Sequence, residues 1–199
     1  MMSKIVIIFA TVVTAVMASL APVSSGFTIP ANQPDGVYEV SFDNTGLATH
    51  VFLAPINASA SAGVNPEARR GMRPNRRAAG HQPICQGYGM GDHNNAELAY
   101  HSLQSTCGNG HVVKGVSGRR SSIYARAGDA VTFFCNDRPN AGDNTCYKEE
   151  LDYSIRKELD PTCGKYNAGY DQMTDRQCQY GQDSYQRNPR FCGYDHEAK

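Results

Sequence analysis

The sequence predicts an α+β fold: a small disulfide-rich sandwich with two helices packed on one face of a mainly antiparallel sheet. Three observations carry this expectation. All seven cysteines fall between Cys85 and Cys192, a density that in an exported chain marks a disulfide framework. Two amphipathic helical stripes lie in the same span. Short runs rich in β-branched and aromatic residues flank them, and one pair of runs reads as a hairpin. That order of elements sets helices against a sheet.

At the N-terminus, Lys4 precedes an almost wholly apolar run from Ile5 to Met17, and small residues follow in Ala18-Ser19-Leu20-Ala21 and Ser24-Ser25-Gly26. This is the layout of a secretory signal peptide over residues 1–26. The run falls short of the roughly 20 apolar residues that a membrane span needs. The expected product is therefore secreted and extracellular, with no membrane span in the mature protein.

Residues 27–77 contain no cysteine and are expected to form a pro-segment or flexible N-terminal region. Pro34-Asp35-Gly36 precedes Val37 to Phe42, which alternates like a lone strand. Ala58 to Gly63 is a low-complexity Ala/Ser/Gly stretch. Arg69-Arg70 and Arg76-Arg77 are dibasic pairs, expected as processing sites after Arg70 and Arg77. The competing reading is a solvated basic linker. Asn57-Ala58-Ser59 makes Asn57 a glycosylation candidate.

Residues 78–199 form the expected cysteine-rich α/β domain. Ile84 to Tyr88 reads as its first strand. Ala96, Ala99, Tyr100, Leu103 and Cys107 then form the apolar stripe of a helix over Asn94 to Thr106. Asn94 with Glu97 resembles a capping box, and Gly108 follows as a stop. Val112 to Val116 and Ser121 to Arg126 are strand candidates. The latter is joined to Ala130–Cys135 by a tight turn at Gly128-Asp129. Leu151, Ile155 and Leu159 mark a second helix, with Asn144 or Thr145 as its cap, Glu149 and Glu150 at the positive end of its dipole, and Pro161 as its end. Tyr166 to Met173 is the last strand. The tail from Gln177 is expected to be loops tethered by Cys192, with Tyr180, Tyr185 and Tyr194 covering the sheet edge or serving as contact anchors.

Three bridges use six of the seven cysteines. Cys85, Cys107, Cys135, Cys146, Cys163 and Cys192 are the disulfide candidates, their connectivity open. Cys178, in a polar run between Gln177 and Gln179, is the candidate odd thiol. No Cys-x-x-Cys or His-x-x-x-His spacing occurs, so neither a metal nor a cofactor is expected. From Ala78 onward, 13 Lys/Arg against 15 Asp/Glu leave a net charge near −2. That balance is unlike the basic face of a nucleic-acid binder, and no nucleic-acid partner is expected.

No catalytic motif stands out. A secreted ribonuclease would need a base, an acid and a cation around a phosphate, for which His81, His93, His101, His111, Glu97, Arg119, Arg120 and Arg126 are at hand. A surface-coat role finds little support, because no exposed apolar run follows the signal. The complete absence of Trp weakens carbohydrate binding.

The signal segment, the Pro-Asp-Gly-Val-Tyr stretch, the dibasic pairs and the compact cysteine-rich domain together resemble the small secreted cysteine-rich effector proteins of filamentous fungi. The Cys-Gly after each helix (Cys107-Gly108 and Cys163-Gly164) also resembles the killer-toxin-like α/β proteins. The resemblance implies an effector or toxin-like protein that binds a host or competitor target, a protein or a cell-surface component, in a virulence-associated role. The alternative is a small secreted ribonuclease or an antimicrobial killer-type toxin. Scaffold likeness transfers no site residue.

Overall fold

A seven-stranded sheet, antiparallel at every pairing, organises the chain in its computed structural model, which describes residues 26–56, 80–138 and 140–192. The signal layout, Asn57, Arg70, Arg77 and Tyr194 lie outside the described residues. The elements are β1 (Phe27–Thr28), β2 (Gly36–Phe42), β3 (Ala48–Ala54), β4 (His81–Gly89), α1 (His93–Cys107), β5 (His111–Val113), β6 (Ser122–Ala127), β7 (Ala130–Asn136) and β8 (Asn144–Cys146). A continuous helical rod follows: α2 (Lys148–Tyr153), a π-helical stretch (Ser154–Leu159) and α3 (Asp160–Cys163). The chain continues through β9 (Asn167–Met173), β10 (Cys178–Ser184) and β11 (Arg190–Phe191). The strand order is β3-β2-β6-β7-β10-β9-β4, with β5–β8 and β1–β11 as separate two-stranded pairs.

Alternation along the strands divides the interior into two apolar clusters. Ile123, Ala125 and Phe134 point to one face, where they meet Ala99, Leu103, Leu151, Ile155 and Leu159 of the helices. Tyr124, Val131 and Phe133 point to the other, where Phe27, Ile29 and Phe191 cover them. α1 lies over β6 and β7, and the helical rod lies over β9, β4 and β10. The helices thus share one face of the sheet. The second face is covered by the short β1–β11 pair and the chain beside it.

Within residues 27–54, assigned from sequence to a pro-segment or flexible region, β2 and β3 are strands of this same sheet and β1 pairs with β11. β2 pairs with β6 from Gly36↔Arg126 to Val40↔Ser122, and Phe27, Ile29, Val37, Tyr38 and Val40 are all buried. The alternation seen at Val37 to Phe42 was therefore that of an integrated strand, with an apolar neighbour on each face.

Two further expectations change. The tail does not begin as loops, because β10 is wholly buried in the middle of the sheet. Its polar residues are absorbed by specific bonds: Gln182 donates to the Asn167 carbonyl at 3.0 Å, and Tyr180 donates to Glu150 at 2.9 Å. Gly181 leaves room for the ring of Phe133 opposite it, where a Cβ would come within 2.3 Å. Pro161 does not end the second helix. The rod widens into a π-helix just before it and runs on through Pro161, at the start of α3, to Cys163.

The helix caps also shift. Asp92, not Asn94, caps α1, its carboxylate accepting from the Asn94 and Asn95 N–H groups at 2.9 and 3.2 Å. Asn144 and Thr145 lie in β8, and Tyr147 stands at the N-cap of α2 without a side-chain bond. Gly108 and Gly164, at positive φ of 49° and 92°, follow the two helices as stops.

Disulfides join Cys85 to Cys163, Cys107 to Cys146 and Cys135 to Cys192. The first ties edge strand β4 to the end of α3. The second ties α1 to β8. The third pins the C-terminal segment to central strand β7. Cys178 is free and buried, packed in the helix-side cluster.

Candidate functional site

The two edges of the sheet are treated differently, and the difference locates the candidate site. β4 carries Pro83, which offers no N–H, and its register shifts between Cys85 and Gly89. Such interruptions are how edge strands are kept from pairing with other chains. β3 carries neither proline nor charge, although its register with β2 also shifts once, with Val37 opposite Ala54 and Tyr38 opposite Phe52. Among the described residues it pairs only with β2, and no Asp, Glu, Lys or Arg occurs from Asn44 to Ile56.

β3 forms where it does for local reasons. Asp43 closes the preceding turn by accepting from the Thr45 N–H, the Thr45 hydroxyl and the Leu47 N–H at 2.9, 2.6 and 2.9 Å. These bonds, the Thr45 hydroxyl first, lower the pKa of the Asp43 carboxyl. Gly46 supplies the left-handed position at φ +85°. Thr49 to Leu53 then reads as a strand by composition. His50 Nδ1 lies 3.0 Å from the Tyr124 hydroxyl, and burial lowers its pKa, which keeps the strand uncharged at neutral pH. The ring of Phe52 packs edge-on against Tyr38. Opposite Val51 stands Glu39, which lies 3.2 Å from His111 Nε2.

The result is an uncharged strand whose outer edge pairs with no other described strand and whose large apolar side chains are exposed. Leu47 is 68% exposed, Phe52 54%, Val51 49% and Leu53 36%. Exposed apolar side chains along an edge that no described strand pairs form an arrangement that accepts another extended segment. The expectation that no exposed apolar run follows the signal does not survive this strand.

The ribonuclease candidates are not assembled into one site. His81 Nδ1 lies 2.5 Å from Asp171, His93 stacks on Tyr166, and His111 faces Glu39. Arg119 lies over the Phe42 ring, and Arg120 is buried 3.2 Å from Asp137. Arg126 lies over Tyr185 and donates to the Gln33 carbonyl at 2.6 Å. Glu97 and His101 do come together, one turn apart on α1 with 3.4 Å between Nε2 and carboxylate. The Glu97 carboxylate also accepts from Arg156 at 2.5 Å and from Tyr166 at 2.8 Å, with Lys165 3.6 Å away. His101, backed by Arg156 and Tyr166, holds the Glu97 carboxyl down to about 2. A carboxylate so occupied is a clamp between α1 and the helical rod, and a weak base.

Among the described residues, no group of three or more His, Cys, Asp or Glu is placed to hold a metal ion. A shallow cleft of about 280 Å³ lies between the end of β3 and α1, lined by Ala54, Pro55, Ile56, Ser102, Ser105 and Thr106. It has no charged group. Sequence reasoning missed the β3 edge, although the uncharged run around Val51-Phe52-Leu53 was there to be read. Compared with known proteins, the chain matches no protein-family profile, no curated protein and no solved structure.

Proposed function

We propose that the protein is a secreted, disulfide-stabilised effector or toxin-like protein that acts by binding a host or competitor protein through β3. The observation that carries this reading is the uncharged edge, unpaired among the described residues, with Val51, Phe52 and Leu53 exposed. An extended segment of the target adds to the sheet as an eighth strand. Backbone hydrogen bonds supply affinity, and alternate side chains meeting Phe52 or Val51 supply selectivity. The absence of charge favours an apolar target strand over an acidic or basic one. Three disulfides fit an oxidising, extracellular setting, and among the described residues no helix is long and apolar enough to cross a membrane.

The test compares the purified protein with a Val51→Lys/Phe52→Lys variant on plant tissue and on competing fungi. Val51 and Phe52 are about half exposed, so the variant should keep the fold, with a modest loss of stability where Phe52 leaves Tyr38. The wild type should elicit a response and the variant should lose it, with superimposable circular dichroism at the assay temperature. An equal response from the variant, or none from the wild type, refutes the proposal. The ribonuclease reading has less support because the Glu97 carboxylate is already engaged. RNA degradation that is lost in His101→Ala would reverse that judgement.

A further inference from the structure

The three disulfides differ in their access to solvent. Cys107, Cys146, Cys135 and Cys192 are all fully buried, which closes off two of the bridges. The third joins Cys85, exposed on edge strand β4, to Cys163, half-buried at the end of α3. Opposite Cys85 on β9 stands Gly169. A Cβ there would lie 3.5 Å from Cys163 Sγ and 2.6 Å from the Ile84 carbonyl oxygen, so the missing side chain makes room for the bridge. Two residues along β4, Gly87 stands at φ +78°, and no described atom lies within 4 Å of where its Cβ would be. The surface beside Cys85 is open on that side.

The elements joined by this bridge have other holds. β4 is hydrogen-bonded along β9 from His81↔Met173 to Cys85↔Gly169, and Tyr88 donates to Asp183 at 2.7 Å. The helical rod buries Leu151, Ile155 and Leu159, and Ser154 donates to Asp171 at 2.7 Å. Beyond Leu159 the hold is thinner. No residue of α3 is buried, and α3 leans on the bridge, on Asn167 donating to the Cys163 carbonyl at 2.5 Å, and on Arg156 donating to Asp160 at 3.2 Å.

We propose that Cys85–Cys163 is a thiol-exchange site, opened reversibly by a dithiol oxidoreductase while the two buried bridges keep the fold. A thiolate of the reductant attacks Sγ of Cys85, the more exposed residue of the pair. The S–S bond breaks, and its electron pair leaves on Cys163 Sγ, which takes up a proton. The second thiol of the reductant attacks the mixed disulfide and frees Cys85 as a thiol. One protein disulfide and one dithiol thus give two protein thiols and one reductant disulfide, with two electrons and two protons transferred. Access selects the bridge, because the attacking sulfur must reach the S–S bond from solvent. The element that responds is the last turn of the rod: once the bridge opens, α3 frays while Leu159 stays packed. The inference does not rest on the binding reading, since β4 is the opposite edge of the sheet from β3.

The experiment treats the native, oxidised full-length protein with dithiothreitol, blocks free thiols with N-ethylmaleimide at intervals, and locates the label by peptide mapping. Cys85 and Cys163 should be labelled about tenfold or more faster than any cysteine of the other two bridges, with the native circular dichroism retained. Removing the reductant before the block should restore the same pairing. Hydrogen exchange in the opened form should quicken over residues 160–164 and stay slow along β9. Four results would overturn the proposal: reduction of all three bridges together, earlier reduction of a buried one, opening of Cys85–Cys163 only with loss of the native circular dichroism, or uniform quickening of exchange. In a second arm, a dithiol oxidoreductase with serine in place of its resolving cysteine should be trapped as a mixed disulfide on Cys85. Trapping on a cysteine of another bridge, or none where the same enzyme traps a known disulfide substrate, would refute the assigned partner chemistry.

Discussion

His81, Asp171 and Ser154 meet at the junction of β4, β9 and the π-helix. Asp171 Oδ2 accepts from Ser154 Oγ at 2.7 Å and lies 2.5 Å from His81 Nδ1, and Asp171 is fully buried. The hydrogen bond to Asp171 raises the His81 pKa above its ordinary value of 6.5, against the opposing effect of burial, with Glu158 and Asp175 adding attraction. A histidine whose pKa is raised by folding contributes stability that is complete below its unfolded pKa and lost as pH rises through the folded one. His81→Gln should therefore lower unfolding free energy by about 1–3 kcal/mol near pH 5. The gap to wild type should close at higher pH, as read by urea titrations across a pH series. Glu97 has the opposite sign: held down to about 2, it contributes stability above its ordinary 4.5 that is lost as acid protonates it. Cys178 offers a third test. Burial pushes its thiol well above the ordinary range, so iodoacetamide should leave it unmodified in the native protein and label one site per chain in denaturant. Neither the His81 bond nor this burial was legible in the sequence, since each arises from strands that meet only in the fold.

The helical rod and the edge strand show what periodicity can and cannot disclose. Leu151, Ile155 and Leu159 are all buried, as a helical stripe requires, and the spacing disclosed them because helix period is a local property. Ile155→Ala should cost about 2–5 kcal/mol by opening a cavity under β9 and β10, measurable as a drop in denaturation midpoint. The passage through Pro161 was not legible, because the apolar spacing carries no mark of the π-helical stretch that precedes it. β10 was misread as loop because Gln179, Gln182 and Asp183 look solvent-facing in sequence. In the fold they are buried, and the burial of Asp183, which accepts from Tyr88 and Asn188, raises its carboxyl pKa to about 6. Polar composition signals exposure only where no partners exist. The β3 edge was overlooked for a related reason: its residues look like an ordinary strand, and only the strand order leaves one side open.

At the scale of the whole molecule, two disulfides fasten α3 and the C-terminal segment to a sheet whose centre is β6-β7-β10, and the third joins α1 to the separate β5–β8 pair. Cys135–Cys192 closes a separation of 57 residues and anchors β11 beneath the aromatic face. Replacing both cysteines by serine should lower stability by about 4 kcal/mol on the chain-entropy relation, read as a shift in urea midpoint, with Phe191 losing its place over Phe27 and Phe133. The sequence by itself determined the α+β class, both helices and the central hairpin, because hydrophobic period, turn chemistry and cysteine density are encoded between near neighbours. Only the tertiary structure decided that β2 and β3 belong to the sheet, that the polar tail supplies a central strand, and that β3 is an edge paired on one side alone among the described residues. Those outcomes depend on which distant strands lie side by side, and pairing between strands far apart in sequence leaves no local periodic mark.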